Sequence, residues 1–287
     1  MPDTKKTWDD AAALWGIATK HKRTFDHDQA KLKWLRSHLG GIPVEQITRE
    51  QIKQIGAIKH GEASAPTANR YLALIRAILR RAANEWEWID KPPFVRLYPE
   101  QKRRVRWLTP HQAQTLLDEL PDHQVQPMIF ALSTGLRQNN VVTLRWEQID
   151  LKRRTAWLYG DQTKNGEDLH ISLNDAAMSV LWSRKNVHKQ WVFTYKGKPI
   201  KRLTTRAWYK ALKRANIEDF RWHDLRHTWA SWLVQQGVPL FAVQEMGGWK
   251  TSGMVRKYAH LSPAHNLQHA QTIDQNLRVV TQTSNKD

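Results

Sequence analysis

Apolar positions recur at helical spacing through the first third of the chain. Thr7 and Asp10 form a capping pair, and Trp8, Ala12, Trp15 and Ala18 or Thr19 mark one stripe of a helix reaching about His21. A second helix, Asp26 to His38, turns Leu32, Leu35 and Leu39 inward and stops at Gly40-Gly41. Thr48 with Gln51 opens a short third helix. Pro66 begins a long fourth, to about Trp88, in which Tyr71, Leu74, Ile75, Ile78, Leu79 and Ala82 keep the period. With no strand signal among them, these predict a small all-α unit over residues 1–90. Arg70, Arg76, Arg80 and Arg81 ride the fourth helix, either as a solvated face or as one turned toward phosphate.

Asp90-Lys91-Pro92-Pro93 breaks this pattern, and no period returns before Trp107. The stretch is basic, with Lys102, Arg103, Arg104 and Arg106, and residues 91–107 are expected to link two domains. A second unit, residues 108–265, starts at Thr109-Pro110-His111-Gln112, which supplies an N-cap, a Pro in the first helical position and a Gln at N3. Helices are predicted to about Glu119, from Asp122 to Ser133, and from the Arg137 region through Trp146. The period then changes. Thr155 to Tyr159 and Leu169 to Leu173 read as strands around Lys164-Asn165-Gly166, a hairpin tip with an Asn-Gly turn. Asn174 caps another helix, and Trp191 to Phe193 reads as a short strand. Helices follow at about Thr204 to Ala215, His223 to Gln236, Leu240 to Glu245 and Ser252 to Tyr258, before a polar tail, 266–287. The fold class is mainly α with a small β-sheet: a four-helix domain and a mixed α+β domain.

Composition narrows the function. Lys and Arg number 45 against 27 Asp and Glu, a net charge of +18, and the excess is spread along the chain. A folded surface with that charge selects nucleic acid. The absence of Cys excludes disulfides, Cys zinc sites and thiol nucleophiles. No apolar run approaches membrane-spanning length and the first residues are no signal peptide, so no membrane partner and a cytoplasmic protein are expected.

The chemistry centres on Arg221 to Trp232. His223, Arg226 and His227 stand at i, i+3 and i+4 and share one helix face, an anion site suited to phosphate. Around it lies an ordered set: Thr134-Gly135-Leu136-Arg137, Lys164 on the hairpin, His223-Asp224-Leu225-Arg226-His227, Gly247-Gly248-Trp249, and Arg256-Lys257-Tyr258-Ala259-His260-Leu261. The set resembles the tyrosine recombinases, the phage-integrase family of site-specific DNA recombinases, over nearly the whole chain. The resemblance implies a core-binding domain in residues 1–90 and a catalytic domain in 108–265, clamp-like around DNA.

It also implies roles. Tyr258 would attack a backbone phosphorus, giving a 3′-phosphotyrosine that stores the bond energy, so no cofactor is needed. Arg137 and Arg226 would clamp the non-bridging oxygens. His223 would hydrogen-bond the phosphate or take the tyrosine proton, and Lys164 would protonate the leaving 5′-oxygen, delivered by a flexible hairpin. Trp249 stands where the family often has His; its indole can donate to phosphate but cannot shuttle a proton. Asn140 stands where an acidic residue is common, and offers no charge. Arg70, Arg76, Arg80, Lys102, Arg103 and Arg104 are expected to contact DNA. The partners implied are double-stranded DNA, a homotetramer on two duplexes with the tail exchanged between protomers, and accessory DNA-bending proteins. Because helical pattern starts by Thr7, no arm-binding domain is expected ahead of it.

Three other functions compete. A non-catalytic DNA-binding protein fits the charge and helices but leaves the ordered set unexplained. A topoisomerase of the same chemistry fits the two-domain size and the wording of the motifs less well. A zinc site at His223 and His227 would place Arg226 against the metal and lacks a Glu base, so no metal is expected.

Overall fold

The computed structural model describes residues 5–22, 24–100, 105–163 and 165–261, with 271 and 273 beyond them. The chain divides into two compact units, Met1–Arg103 and Arg104–Asp287.

The first unit is built on α1 (Trp8–Thr19), α2 (Phe25–Leu39), α3 (Arg49–Glu62) and α4 (Ala65–Asn84). Reciprocal capping boxes start α1 at Thr7–Asp10 and α3 at Thr48–Gln51, so orphan backbone N–H groups are satisfied where each helix begins. Trp8, Leu35, Leu39, Ile52, Ile75, Ile78 and Leu79 close one core among the four helices. Helix α3 is longer than expected, and α4 stops earlier. Trp88 donates its backbone N–H to Ala82 O at 2.8 Å while Glu87 takes a positive φ of 54°. The chain thus folds back, and Trp86 and Trp88 pack on the core instead of extending the helix.

Residues 91–100 are not a free linker. Val95 is 5% exposed, and the Asn69 amide grips the segment at Tyr98 and Glu100. It accepts from Tyr98 N at 2.8 Å and donates to Tyr98 O at 3.0 Å and to the Glu100 carboxylate at 2.7 Å. A buried amide with both ends paired orders the segment against α4. Lys102, Arg103 and Arg104 lie outside the described residues, as does the tail from Asn266 except for 271 and 273.

The second unit runs α5 (Pro110–Glu119), α6 (Asp122–Thr134), α7 (Gln138–Val142), β1 (Ile149–Asp150), β2 (Thr155–Leu158), β3 (Leu169–Ser172), α8 (Asp175–Arg184), β4 (Thr194–Tyr195), β5 (Lys198–Pro199), α9 (Arg206–Arg214), α10 (Asp224–Gln235), α11 (Leu240–Gly247) and α12 (Gly253–Arg256). The larger sheet is antiparallel in the order β1-β2-β3, with Thr155 opposite Ser172 and Leu158 opposite Leu169. The smaller is the β4-β5 hairpin. Leu116, Phe130, Leu144, Ala156, Ile171, Leu181, Trp208 and Leu225 fill the space between the helices and one face of the larger sheet.

Three expectations change here. The helix expected through Trp146 is only α7, because Thr143–Arg145 leaves it to let Trp146 N bond to Gln190 O at 3.0 Å. Trp191 forms an isolated bridge to Arg145, and the strand pairing begins three residues later, at β4. The β2–β3 connection is no tight Asn-Gly turn: it spans 159–168 and holds a single 3₁₀ turn at Gly160–Gln162.

Candidate active site

The site grows from the start of α10. Asp224 accepts from Arg221 N at 2.8 Å, which fixes where the helix begins and sets His223 as its N-cap. From there Arg226 points inward and is 2% exposed. Its Nη1 donates to Gly135 O at 2.8 Å, its Nη2 donates to Gly247 O, and its guanidinium lies 4.0 Å from the centroid of the Trp249 ring. Trp249 stacks in turn on Trp229, centroids 6.0 Å apart.

The carbonyl grip depends on Gly135. It closes α6 in the left-handed region at φ +66°, and a Cβ there would lie 2.4 Å from the Trp229 ring. Only glycine meets both demands. Two residues on, Arg137 caps α7, half-buried, its guanidinium pKa lowered by loss of hydration. Burial and the nearby Arg137 bring Arg226 down to about 9, so it still carries its charge at neutral pH. Burial, then Arg226 and Arg137, also lower the His223 imidazole. His223 opens to solvent on one side while the protein wall and these cations disfavour its charged form. Among the described residues no carboxylate forms an ion pair with Arg226 or Arg137.

Tyr258 lies just past α12 and is 0% exposed, in a small cluster with Trp229, Ala230, Val234, Val243 and Val255. Its hydroxyl is 2.5 Å from His227 Nδ1. Its ring stands 6.0 Å from that of Trp249 and 5.1 Å from Lys257 Nζ. Burial raises the phenol above its ordinary pKa. Burial, then Lys257, His223, Arg226 and Arg221, pulls the His227 imidazole down to about 3. His227 is therefore neutral at pH 7, and in the tautomer that carries its proton on Nε2 its Nδ1 accepts a hydrogen bond from the phenol.

The β2–β3 loop is tied to this site on either side of Lys164, which is itself outside the described residues. Asn140 Nδ2 donates to Gln162 O at 2.9 Å, and Asn165 Nδ2 donates to Gly248 O at 2.9 Å. Asn140 thus braces the loop from the Arg137 helix without needing a charge.

Arg137, His223, Arg226, Trp249 and Tyr258 come from α6–α7, α10, the α11–α12 turn and the segment beyond α12, and they converge on one place. The hydroxyl of Tyr258 meets His227 and not His223. The sequence had put His227 on the anion-binding face, by its i+4 spacing from His223, without giving it a task. Among the described residues no group of three His, Cys, Asp or Glu side chains could hold a metal ion. Likewise, no helix of those residues is long and apolar enough to cross a membrane.

A model described as the phage integrase family matches residues 106–265. The integrase of Salmonella phage P22 is 38% identical over 308 aligned residues, covering 93% of this chain and 80% of that relative. The chain belongs to the phage integrase family. It is a site-specific tyrosine recombinase, an enzyme of DNA recombination. A shufflon-specific DNA recombinase of Escherichia coli is 30% identical over 68% of this recombinase, which spans only 51% of that relative. The fold resembles that of the lambda integrase chain seen in a tetramer bound to a Holliday junction, with a TM-score of 0.74 at 21% identity over 89% of this chain and 78% of that one. The integrase of the Tn1549 transposon in complex with circular intermediate DNA matches with a TM-score of 0.72 at 18% identity, over 86% and 94%.

Of the arginines expected to meet DNA, Arg76 and Arg80 line one hollow of this recombinase, with Trp15, Arg81 and Glu85. Arg70 lines a different one, with His27, Lys31 and Tyr71. The three do not make a single stripe.

Proposed function

We propose that this recombinase is a phage or prophage integrase that cuts and rejoins double-stranded DNA through a 3′-phosphotyrosine at Tyr258. One observation carries the assignment of the site. Arg226 is a buried cation that faces carbonyls and an indole, beside Arg137, with the phenol of Tyr258 behind the same helix. A buried charge without a counter-ion is unfavourable, and an anion held between the two guanidiniums would relieve it. A scissile phosphate fits that place.

In this scheme Arg137 and Arg226 hold the non-bridging oxygens and oppose the charge that builds in the five-coordinate transition state. His223, exposed beside both, hydrogen-bonds the phosphate. Trp249 donates its indole N–H and packs against Arg226. Lys164 is the general acid for the leaving 5′-oxygen. Residues 1–90 act as a core-binding domain and 108–265 as the catalytic domain, the two closing on the duplex as a clamp, with the stretch to 107 between them and 266–287 exchanged between protomers. Lambda integrase has been seen as a dimer on a core site and as a tetramer on a Holliday junction, which supports a homotetramer on two duplexes here. Accessory DNA-bending proteins and a bacterial cytoplasm complete the setting.

A suicide substrate nicked near the cleavage position tests this. The wild type should accumulate a protein–DNA adduct that survives denaturant. Tyr258→Phe should bind the same DNA and form none; an adduct in Tyr258→Phe would place the nucleophile elsewhere.

A further inference from the structure

We infer that His227 is a catalytic residue of this recombinase: it takes the proton of Tyr258 as the phenol attacks, and returns it on rejoining. This rests on the proposed role of Tyr258 as nucleophile.

Among the described residues the geometry favours His227 over the other bases in the site. Its Nδ1 is 2.5 Å from the phenolic oxygen, inside hydrogen-bond distance for direct transfer. His223 meets His227 edge to face, centroids 5.2 Å apart, and so stands one ring farther from the phenol. Lys257 lies over the face of the tyrosine ring, with its Nζ 5.1 Å from the centroid, and makes no hydrogen bond to the phenolic oxygen. Trp249 has only a donor.

The same surroundings explain when the base works. Burial, and then Lys257, His223, Arg226 and Arg221 around the imidazole, disfavour a proton on it, while burial keeps the phenol protonated. In the free protein proton transfer is therefore disfavoured. A phosphate between Arg137 and Arg226 supplies the negative charge that offsets these cations, so the imidazole becomes basic only with DNA in place. The proton then moves in step with attack. The Tyr258 O–H bond breaks as its proton passes to Nδ1, the phenolic oxygen bonds to phosphorus, and the P–O5′ bond breaks. The 5′-oxygen takes a proton from Lys164. In rejoining, the 5′-hydroxyl attacks and Tyr258 leaves, recovering its proton from His227.

The test uses the full chain and the nicked suicide substrate under single-turnover conditions. His227→Ala should form adduct about 100-fold or more slowly than wild type, at unchanged DNA affinity, and millimolar imidazole should restore part of the rate. His227→Asn keeps a hydrogen-bonding group toward the phenol but cannot accept a proton, and should stay as slow as His227→Ala. If His227→Ala cleaves within about threefold of wild type, if imidazole fails to restore it, or if His227→Asn is fully active, the assignment is overturned. Rescue by imidazole of His223→Ala alone would move the base to His223. Should His227→Ala not fold by circular dichroism, the rate of His227→Asn decides. Adduct formation by Tyr258→Phe would instead overturn the underlying nucleophile, so the two failures are separable.

Discussion

A guanidinium buried against two carbonyl oxygens is stabilised by those hydrogen bonds yet still lacks a counter-charge. Arg226 is in that position, and Arg137 adds a second positive charge beside it. Arg137→Lys should keep the charge and lose the planar fork, so adduct formation should fall by about 100-fold or more while DNA affinity changes little. Equal cleavage rates for the two proteins would count against the clamp. His227 supplies a second prediction at this scale. Its folded pKa, about 3, lies below the ordinary histidine value of 6.5. Between these values the unfolded chain binds more protons, so stability is complete above about pH 6.5 and declines as pH falls below it. From pH 7 to pH 5 the loss from this group is about 2 kcal/mol, and the lowered pKa of His223 acts in the same direction. Urea melts at the two pH values measure it, and His227→Asn should shrink the difference. Arg137, Arg226 and Tyr258 could be singled out because each sits in a worded motif, and the fold brings the three together. The task of His227 was not legible, because the phenol it meets comes from a residue 31 positions later, brought there only by packing.

At the scale of elements, the site depends on how α6 ends. Gly135 is required twice, by a positive φ and by the Trp229 ring against it. Gly135→Ala should therefore destabilise the second unit by about 2–4 kcal/mol, combining left-handed strain with overpacking. Thermal unfolding would record it, and loss of cleavage should exceed the loss of DNA binding because the Arg226 carbonyl partner shifts. A melting temperature equal to wild type would show that Trp229 yields freely. Helix starts were the most legible elements, since Thr7, Thr48, Thr109 and Asn174 all cap where their side chains predict. Ends were harder. The overrun expected for α4 fails because Trp86 and Trp88 gain more by folding onto the core than by continuing a helix. The β2–β3 loop misled because Asn165-Gly166 looks like a hairpin turn, whereas Asn165 spends its amide on Gly248.

For the whole molecule, two units and an excess of 18 positive charges were both legible from pattern and composition. The extent of the first unit was not, because the Asn69 grip on Tyr98 and Glu100 leaves no periodic trace. Charge of this size should make DNA affinity fall steeply with salt. Arg76→Ala combined with Arg80→Ala should weaken binding and reduce the slope of log affinity against log salt by about 2, if both meet phosphates. Arg70, on another hollow, should add to the slope independently or not at all. An unchanged slope in the double variant would remove that hollow from the interface.

With Tyr258 as the proposed nucleophile, its complete enclosure would set the timing of the reaction. An oxygen that water cannot touch is out of reach of a phosphorus atom carried on a duplex, so opening must precede bond-making. Trp249 and Lys257 stand against the ring of the phenol, and Trp229, Val243 and Val255 pack in the same cluster, so exposing the hydroxyl would displace some of these neighbours. On the proposed assignment, the enzyme adrift among countless phosphodiesters would be inert by construction, and each strand cut would follow a rearrangement that the correct partner must stabilise.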